Sequence, residues 1–501
     1  MTSAETQGIA MKDHLQAQQN QAPKPASLTR RRLFEATAAA VAGAASVTAN
    51  AAGASGDPGV LDVVVIGAGL AGLTAARDLQ SAGCESFAVL EARDRVGGRT
   101  YNHDLGNGVV SEAGGQWIGP GQTAIADLAR ELNIGTFGTY YEGKTCFLAG
   151  ETRVTQDLKG GVGASGPIPD KLSAMAQGIP SDAPWKARDA AVLDRLSLGE
   201  WIAQQNPTNE DKFSVSLAAQ LTFGVPPGQL GLLQYLATLN SAGSSYHNLE
   251  SIKDGAQETR LIGGSQLLSI RMAEALGNKV RKSCPVRKIS DWDRDIVELH
   301  TDQGVLRARC IIAALNPALC QQIRFDPPLP EGRAQLQRRW PAHAPMRKTV
   351  HVYSKPFWRN VGMNAQIMPL DGPLLWSYDN SPPDGSVGVI SAFVRPGGLT
   401  SDPKKAEQTL SAIYARALGQ QALRATQFHD FDWGKVDPWS LTCIHPLPPG
   451  FWTNWGPYLR PTVGRLIWSG TETADIWAGS MDGAVRSGHR AALQALASLK
   501  R

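Results

Sequence analysis

The chain has 501 residues, of which 42% are hydrophobic and 19% are charged, and it contains 52 glycines. This length exceeds one ordinary hydrophobic core, so we expect two or three packed units in a globular chain rich in tight turns. The formal net charge is +4, and residues 1–51 carry five basic and three acidic side chains, which leaves +2 for the remainder. This near-neutral balance argues against nucleic-acid binding and against attraction to a charged membrane surface.

The first 51 residues have the pattern of a targeting segment. A polar stretch ends in residues 29–34 (TRRRLF), an alanine-rich run follows, and Ala49-Asn50-Ala51 offers an A-x-A cleavage site. The run is too weakly apolar for a membrane span, which needs about 20 strongly apolar residues. Paired arginines before a modest apolar region are typical of twin-arginine signals, so we expect export of the folded protein to the periplasm or medium. A Sec signal and a disordered tail are the alternatives.

The cysteines are scattered along the chain and form no CxxC pair. Neither a metal site nor a disulfide framework is therefore expected, and most of these side chains should be buried apolar groups. The six positions are Cys84, Cys146, Cys284, Cys310, Cys320 and Cys443.

A glycine-rich turn joins the first predicted strand, residues 61–66 (LDVVVI), to a predicted helix over residues 73–82. In the turn Gly67-Ala68-Gly69-Leu70-Ala71-Gly72, the first glycine permits a tight turn and Gly69 lets a pyrophosphate approach the backbone. Gly72 allows close packing of the helix on the strand, and the helix N-terminus offers unpaired N–H groups to phosphates. The pattern predicts a dinucleotide site, and a glycine turn without a ligand is the alternative.

A second predicted strand, residues 87–90 (FAVL), ends at Glu91. This carboxylate lies where it could accept hydrogen bonds from ribose hydroxyls. Residues 91–100 (EARDRVGGRT) then match the segment that follows the second strand in the flavin amine oxidase superfamily. The resemblance implies FAD, with close backbone approach at Gly97 and Gly98 and with Arg93 and Arg99 neutralising pyrophosphate charge. A solvated basic loop is the other interpretation of these arginines.

Further segments resemble flavin monoamine oxidases over nearly all of the chain after residue 60. Residues 112–120 (EAGGQWIGP), with Gly114, Gly115, Gln116 and Trp117, resemble the loop beside the flavin ring. Residues 255–264 (GAQETRLIGG) resemble the family segment in which the chain returns from the substrate domain. Residues 284–289 (CPVRKI) resemble the strand whose Val286 main chain meets the adenine, and residues 310–314 (CIIAA) resemble the final strand of the FAD-domain sheet.

The C-terminal part carries the strongest match. Residues 465–474 (RLIWSGTETA), with Glu472, form a predicted strand and turn, and residues 477–485 (WAGSMDGAV) open a helix at Ser480 and Met481. N–H groups at that helix terminus would stabilise negative charge on a reduced flavin. We include Glu472, Ser480, Met481 and Trp439 in the predicted cofactor-contacting set.

The resemblance implies an α/β fold with a Rossmann-like, glutathione-reductase-type FAD domain and a mixed α+β substrate domain. We place the FAD domain in residues 58–130, 251–325 and 441–501. The substrate domain then comprises residues 131–250, with helices around 190–250, and residues 326–440, with a sheet. The helical part, including Phe213, Leu217, Leu221 and Phe223, is expected to roof the substrate cavity, with residues 224–228 as a loop.

The candidate catalytic residue is Lys348. Alignment on residues 355–358 (KPFW) places it at the family lysine that holds a water near flavin N5. Residues 350, 352 and 354 alternate with their neighbours as in a strand that could aim Lys348 inward. A surface lysine on that strand is the alternative interpretation.

Two positions depart from the family pattern. Many monoamine oxidases frame the amine with two aromatic side chains, whereas Ser480 stands at the second position and Cys443 or Ile444 at the first. Trp477, Trp439 and Trp376 could supply aromatic surface instead. The cysteine of covalent family members aligns with Thr442, one residue before Cys443, so we favour non-covalent FAD.

The predicted function is oxidation of a primary or secondary small-molecule amine to an imine, with O2 or a periplasmic cytochrome as acceptor. An L-amino-acid oxidase of the same superfamily and a non-catalytic FAD-binding electron carrier are the alternatives. The resemblance also favours a homodimer, and no metal, nucleic acid or membrane span is expected.

Overall fold

The computed structural model describes residues 59–161, 166–342, 346–441 and 444–500. The predicted signal segment, residues 1–51, lies outside this range. So do Thr442 and Cys443, on which the expectation of non-covalent FAD depends. Within the described ranges, no helix is both long and apolar enough to cross a membrane.

The strands and helices are numbered here in chain order. The strands are β1 (Val60–Ile66), β2 (Phe87–Leu90), β3 (Asn102–Gly106), β4 (Val109–Glu112), β5 (Trp117–Ile118), β6 (Thr136–Gly138), β7 (Lys144–Ala149), β8 (Thr152–Gln156), β9 (Thr259–Leu261), β10 (Val280–Arg281), β11 (Val286–Ser290), β12 (Val297–Thr301), β13 (Gly304–Ala314), β14 (Arg324–Asp326), β15 (Arg347–Tyr353), β16 (Met363–Pro369), β17 (Leu374–Asp379), β18 (Gly388–Val394), β19 (Gln427–Asp432) and β20 (Leu466–Ser469). The α-helices are α1 (Leu70–Ser81), α2 (Thr123–Glu131), α3 (Pro167–Ala176), α4 (Ala190–Leu193), α5 (Leu198–Ala203), α6 (Asn209–Phe223), α7 (Leu232–Ser241), α8 (Tyr246–Glu250), α9 (Gln266–Leu276), α10 (Glu331–Arg339), α11 (Pro403–Leu418), α12 (Trp433–Val436), α13 (Phe451–Trp455) and α14 (Met481–Leu499).

The first sheet, called here the nucleotide sheet, has the order β10-β2-β1-β13-β12-β11-β14, with β20 also paired to β13. Strand β13 is its centre. It runs parallel to β1 along Arg307–Ala313, pairs with β12 through its first half, and pairs with β20 through Ile311–Ala314. The expectation that residues 310–314 form the final strand is therefore wrong. Their apolar side chains are buried because strands lie on both sides.

Helices α1 and α14 pack on the face of the nucleotide sheet and share an apolar core with β1 and β2. Helix α1 begins directly after Gly69, three residues earlier than the sequence pattern indicates, because the glycine turn is complete at that residue. A Cβ at Gly72 would collide with the carbonyl oxygen of Gly67, and one at Gly488 in α14 would collide with that of Ala71. Both glycines therefore permit a backbone approach that a larger residue would block.

The second sheet, called here the substrate sheet, has the order β19-β15-β18-β17-β16-β7-β8. One of its faces packs on α11, where the ring of His351 lies 4.9 Å from that of Tyr414. Side chains of β15 alternate between faces, so Lys348, Val350 and Val352 point away from α11. Val350 and Val352 pack with Leu105 of β3, next to the nucleotide part of the fold.

The helical layer consists of α3 to α8. Helix α6 starts with a capping box in which the Thr208 hydroxyl accepts from the N–H of Asp211. It ends at Gly224, whose φ of 74° closes the helix as the predicted loop begins. Leu221 lines the large cavity, whereas Phe223 does not roof it and instead packs within the layer, 6.0 Å from the ring of Tyr235.

Five cysteines fall within the described residues, namely Cys84, Cys146, Cys284, Cys310 and Cys320, and all are buried free thiols. This confirms their predicted role as small apolar groups. No cluster of three or more histidine, cysteine or acidic side chains suited to a metal ion occurs in the described part of the chain.

Candidate active site

One cavity of about 410 Å³ extends from the glycine turn to the helical layer. At one end it is lined by Gly67 and Gly69, and at the other by Thr222 and Glu250. A cavity of this size and continuity can hold an extended ligand and a smaller one beside it.

The glycine turn forms a cradle at the dinucleotide end. Gly67 has a φ of 101°, and a Cβ there would lie 2.7 Å from the carbonyl oxygen of Ala314. The N–H of Gly97 donates to the carbonyl oxygen of Ala68 at 2.9 Å, so the second glycine loop is held against the first. A Cβ at Gly69 would lie 3.8 Å from the Cα of Gly98. The two loops thus leave a narrow, side-chain-free channel at the N-terminus of α1, as phosphate binding requires.

Glu91 is buried at the end of β2 and lines the cavity. Its carboxylate accepts from the N–H of Ala68 at 2.8 Å and from the N–H of Arg93 at 3.0 Å. These bonds fix the carboxylate beside the glycine turn, where a ribose would lie. Ala68 contributes this backbone contact and does not itself line the cavity, and neither does Gly72, which acts through helix packing.

The guanidinium of Arg93 is held by acidic side chains. It donates to Asp437 at 2.7 Å and to the Ser440 hydroxyl at 3.2 Å, and it lies 3.5 Å from Glu91. Burial acts to raise the pKa of Asp437, but hydrogen bonding with Arg93 outweighs it and the pKa is lowered. The charge of Arg93 is therefore partly offset within the protein, and its contact with phosphate stays a prediction. It anchors the loop that brings Trp439 to the cavity.

Arg99 forms an ion pair with Glu472, with 2.7 Å between its Nη1 and Oε1 of the carboxylate. Burial acts to raise the pKa of Glu472, but the charge of Arg99 outweighs it, so the pKa is lowered and the carboxylate is ionised. Oε1 also accepts from Asn316 at 2.9 Å, whereas the buried Oε2 has no hydrogen-bond partner among the described residues. Glu472 does not line the cavity and contacts it through Arg99.

Helix α14 begins at the cavity, where Ser480 and Met481 are lining residues. The Ser480 hydroxyl accepts from the N–H of Gly483 at 3.2 Å and donates to the carbonyl oxygen of Trp477 at 2.7 Å. Ser480 is therefore the N-cap of the helix, and the aromatic position of the family is occupied by a capping group. The buried Trp477, with a φ of 52°, lines the cavity nearby.

Lys348 is buried at 2% exposure and lines the cavity. Its Nζ donates to Oε1 of Gln116 at 2.5 Å and to the carbonyl oxygen of Gly114 at 3.2 Å. Both acceptors belong to the loop that is predicted to run beside the flavin ring. The interpretation of Lys348 as a surface residue is wrong, because β15 is buried along its whole length.

A buried polar chain holds Gln116 in place. Its Oε1 also accepts from the Tyr378 hydroxyl at 2.8 Å, and its Nε2 donates to Oδ1 of Asn380 at 2.8 Å. Asn380 in turn donates to Glu112 at 3.3 Å, and Arg260 pairs with Glu112 at 2.7 Å. Buried polar networks of this kind are rigid when each member is satisfied. The chain therefore fixes the rotamer of Gln116, which faces Lys348.

Aromatic rings surround the Nζ of Lys348. Those of Trp117, Tyr378 and Phe393 have centroids 5.8, 5.7 and 5.5 Å from it. Trp376 extends this wall, stacked 6.1 Å from Phe393 with an interplanar angle of 7°. Trp117, predicted to contact the cofactor, thus lies against the substrate sheet. The wall provides apolar, water-excluding surface around the lysine.

The remaining predicted cofactor residues also lie on the cavity. Gly98, Gly115, Val286 and Trp439 are lining residues, so Ala68, Gly72 and Glu472 are the three predicted cofactor residues that do not line it. Glu250, Thr222 and Trp433 line it too and were missed by sequence reasoning. A buried glutamate at the end of a short helix has no sequence signal, because its burial depends on elements distant in the chain. The glycine cradle, the fixed carboxylate of Glu91 and the long cavity together fit a dinucleotide cofactor.

Replacing Gly69 by valine should leave the protein folded but lower its affinity for FAD by about 10- to 100-fold, because the new side chain enters the channel facing Gly98. Flavin content after purification and titration of the apoprotein with FAD measure this. Gly138→Val is the matched control, since a Cβ at Gly138 meets nothing within 4 Å. Full flavin content in Gly69→Val would contradict the placement of the phosphates.

The profile of the family described as "Flavin containing amine oxidoreductase" matches residues 70–496. The provisionally named flavin-containing monoamine oxidase AofH of Mycobacterium tuberculosis is 37% identical over 88% of this chain and 98% of its own length. Flavin-containing amine oxidase B of Rattus norvegicus is 32% identical over 87% of this chain and 86% of its own.

Two solved structures are similar in fold. A wild-type putrescine oxidase bound to putrescine superposes with a TM-score of 0.80 at 32% identity, covering 87% of this chain and 99% of that one. Cyclohexylamine oxidase from Brevibacterium oxydans gives a TM-score of 0.80 at 28% identity, covering 88% and 100%. The glycine cradle, the buried lysine and these matches lead to one conclusion: the chain belongs to the flavin-containing amine oxidoreductase family and is an FAD-dependent amine oxidase.

Proposed function

We propose that the protein oxidises a primary or secondary amine to an imine, which water hydrolyses to a carbonyl compound and an amine, with O2 as the electron acceptor. The observation that carries the proposal is the position of Lys348. It lies in a buried aromatic enclosure, hydrogen-bonded to Gln116 and Gly114, where the dinucleotide part of the cavity meets the apolar part.

FAD, when bound along the glycine cradle, supplies the oxidising chemistry by accepting a hydride equivalent from the α-carbon of the amine. The rings of Trp376 and Phe393 exclude water, and this apolar surface favours the neutral amine over the ammonium form. Lys348 is placed to orient a water molecule beside the reacting atoms. Gln116 holds the lysine in position through its 2.5 Å hydrogen bond.

An L-amino-acid substrate is less well supported. The arginines that line the cavity within the described residues are Arg93 and Arg99, and both are paired with carboxylates at the dinucleotide end. A carboxylate clamp would need an uncommitted guanidinium near Lys348. The similarity to proteins named putrescine oxidase and cyclohexylamine oxidase favours an amine without a carboxylate.

Mixing the oxidised holoenzyme with a panel of amines in the absence of air should bleach the flavin with at least one aliphatic or arylalkyl amine. Subsequent mixing with O2, and separately with cytochrome c, distinguishes the two acceptors, and we expect faster reoxidation by O2. Stopped-flow absorbance measures both half-reactions. If no amine in the panel reduces the flavin, the protein is an FAD carrier and the proposed oxidation is wrong.

Lys348→Met should retain FAD but slow flavin reduction or reoxidation by about 100-fold or more, the usual effect of removing a group that positions a proton or water. Lys355→Met is the matched control, because Lys355 is exposed just beyond the same strand. Flavin content and single-turnover kinetics are compared for the two variants. Unchanged kinetics in Lys348→Met would remove the lysine from the mechanism.

We also propose that the protein is exported folded through the twin-arginine route, on the basis of residues 29–34 and the A-x-A site. Replacing both Arg31 and Arg32 by lysine should then retain the protein in the cytoplasm, with Lys24→Gln as the control. Cell fractionation of a bacterial host with and without the twin-arginine translocase measures this. Export that does not depend on the translocase would contradict the route.

A further inference from the structure

A carboxylate that the oxidation itself does not use lies in the cavity. Glu250 is the last residue of α8 and is 7% exposed, and its side chain lines the cavity. Both of its oxygens accept from the hydroxyl of Thr222 in α6, at 3.2 and 3.4 Å. Thr222 lines the same cavity. The pair therefore presents polar atoms to the ligand space from the helical layer.

The ionised form of Glu250 has no cation beside it among the described residues. Among the described residues, the donor to its carboxylate is Thr222, and no lysine or arginine forms an ion pair with it. Burial raises its pKa to about 8, although the Thr222 hydroxyl acts to lower it. Buried carboxylates are ordinarily paired with cations or hydrogen-bonded to several donors. Burial therefore destabilises the ionised form of Glu250, and the Thr222 hydroxyl is the group among the described residues that stabilises it.

The groups facing Glu250 from the packed helices are phenols. Burial first, and the nearby charge of Glu250 in addition, raise the pKa of Tyr235 in α7 and of Tyr246 in α8 well above the ordinary value. Both phenols therefore stay neutral over the pH range in which Glu250 titrates. They can neither offset its charge nor compete with a cation for it.

Glu250 lies on the substrate side of the cavity. Leu221, which precedes Thr222, and Ile252, which follows Glu250 by two residues, pack in one apolar cluster with Trp376, Tyr378 and Phe393. Two of these rings surround the Nζ of Lys348. The ligand space beside Lys348 is thus bounded by an aromatic wall that continues to the Glu250–Thr222 pair. An apolar path with a carboxylate at its far side suits a ligand with an amino group at each end, one of them neutral and the other protonated.

We propose that Glu250, supported by Thr222, binds a second cationic group of the substrate, so that the preferred substrates are α,ω-diamines or amines carrying another ammonium. The proposal rests on the proposed amine oxidation for its chemistry, but the subsite itself is a binding site. One amino group lies neutral at Lys348 and is oxidised. The other stays protonated and pairs with the carboxylate of Glu250. This ammonium is the cation that the described residues do not provide.

Binding of such a ligand has a proton signature. Glu250 is mostly protonated at pH 7 in the free protein, because its pKa is about 8. Pairing with an ammonium favours the ionised form of Glu250. Every amine releases one proton when its reacting group binds neutral, so a diamine should release about one proton more than the matched monoamine at pH 7. The preference for a diamine over a monoamine should therefore grow as the pH rises from 6 toward 8.

The experiment compares diamines with monoamines of the same chain length, from four to eight carbons, against the oxidised holoenzyme without air. Dissociation constants come from flavin absorbance changes, or from calorimetry in buffers of different ionisation enthalpy, which also counts released protons. We expect the wild type to prefer the best diamine by about 10- to 100-fold, the range of one charge-assisted contact. In Glu250→Gln this ratio should fall to near one, whereas Glu210→Gln, an exposed charge change in α6, should keep it.

The outcomes separate the proposals. A wild type that binds each monoamine as tightly as its matched diamine, or that releases no more protons with the diamine than with the monoamine, overturns the subsite without any variant. A loss of affinity in Glu250→Gln that is equal for both ligand classes also overturns it and makes the glutamate a base for the reacting amine. Diamine-selective binding without flavin reduction would retain the subsite and refute the oxidation.

Discussion

The hydrogen bond between Lys348 and Gln116 joins the two halves of this molecule at the place where chemistry is expected. The lysine comes from the substrate sheet, and the glutamine comes from a loop attached to the nucleotide part of the fold. Neither group could be buried alone, because each would lose its water without compensation. Their pairing, with Tyr378 and Asn380 completing the set, sets the distance between the sheets. The aromatic enclosure and the cavity depend on that spacing.

Electrostatic compensation follows a different pattern at the two ends of the cavity. At the dinucleotide end, Arg93 and Arg99 are each paired with a carboxylate, and Glu91 is held by backbone N–H groups. Charged side chains there are paired within the protein. The groups left to bind phosphates are mainly the backbone N–H groups of the glycine loops and of the N-terminus of α1. At the substrate end, Glu250 has the Thr222 hydroxyl beside it and no cation among the residues that the structure describes. This carboxylate lines the cavity, where a cationic ligand can pair with it.

Ser480 illustrates how one substitution can change the role of a position without disturbing the fold. Where the family pattern has an aromatic side chain, the hydroxyl caps α14 and the helix still begins at the cavity. The rings that remain near the ligand space come from other elements, among them Trp477 before the cap and Trp376 on the substrate sheet. The aromatic surface of the cavity is therefore supplied by this wall and by Trp477, and position 480 contributes none.

The sequence by itself determined the dinucleotide turn, the strand that precedes it and the helix that follows it. Each of these is specified by local backbone needs, as at Gly67 and Gly72, or by a continuous apolar run. Lys348 could also be identified from the sequence, because residues 355–358 (KPFW) anchor the alignment with the family. Sequence reasoning placed residues 310–314 at the end of the sheet, whereas they are central, because strand order is decided by which apolar faces meet and not by local pattern.

Only the tertiary structure decided how charges are compensated and what lines the substrate side. The partners of Arg93 and Arg99 lie more than 340 residues away in the chain, as the pairs with Asp437 and Glu472 show. Glu250 is unremarkable in a short polar stretch, and its burial against Thr222 arises from the packing of three helices with the substrate sheet. Long-range packing sets burial, and burial sets the pKa of a carboxylate and its need for a partner. For that reason the cofactor could be predicted from the sequence, whereas the substrate side of the site could not.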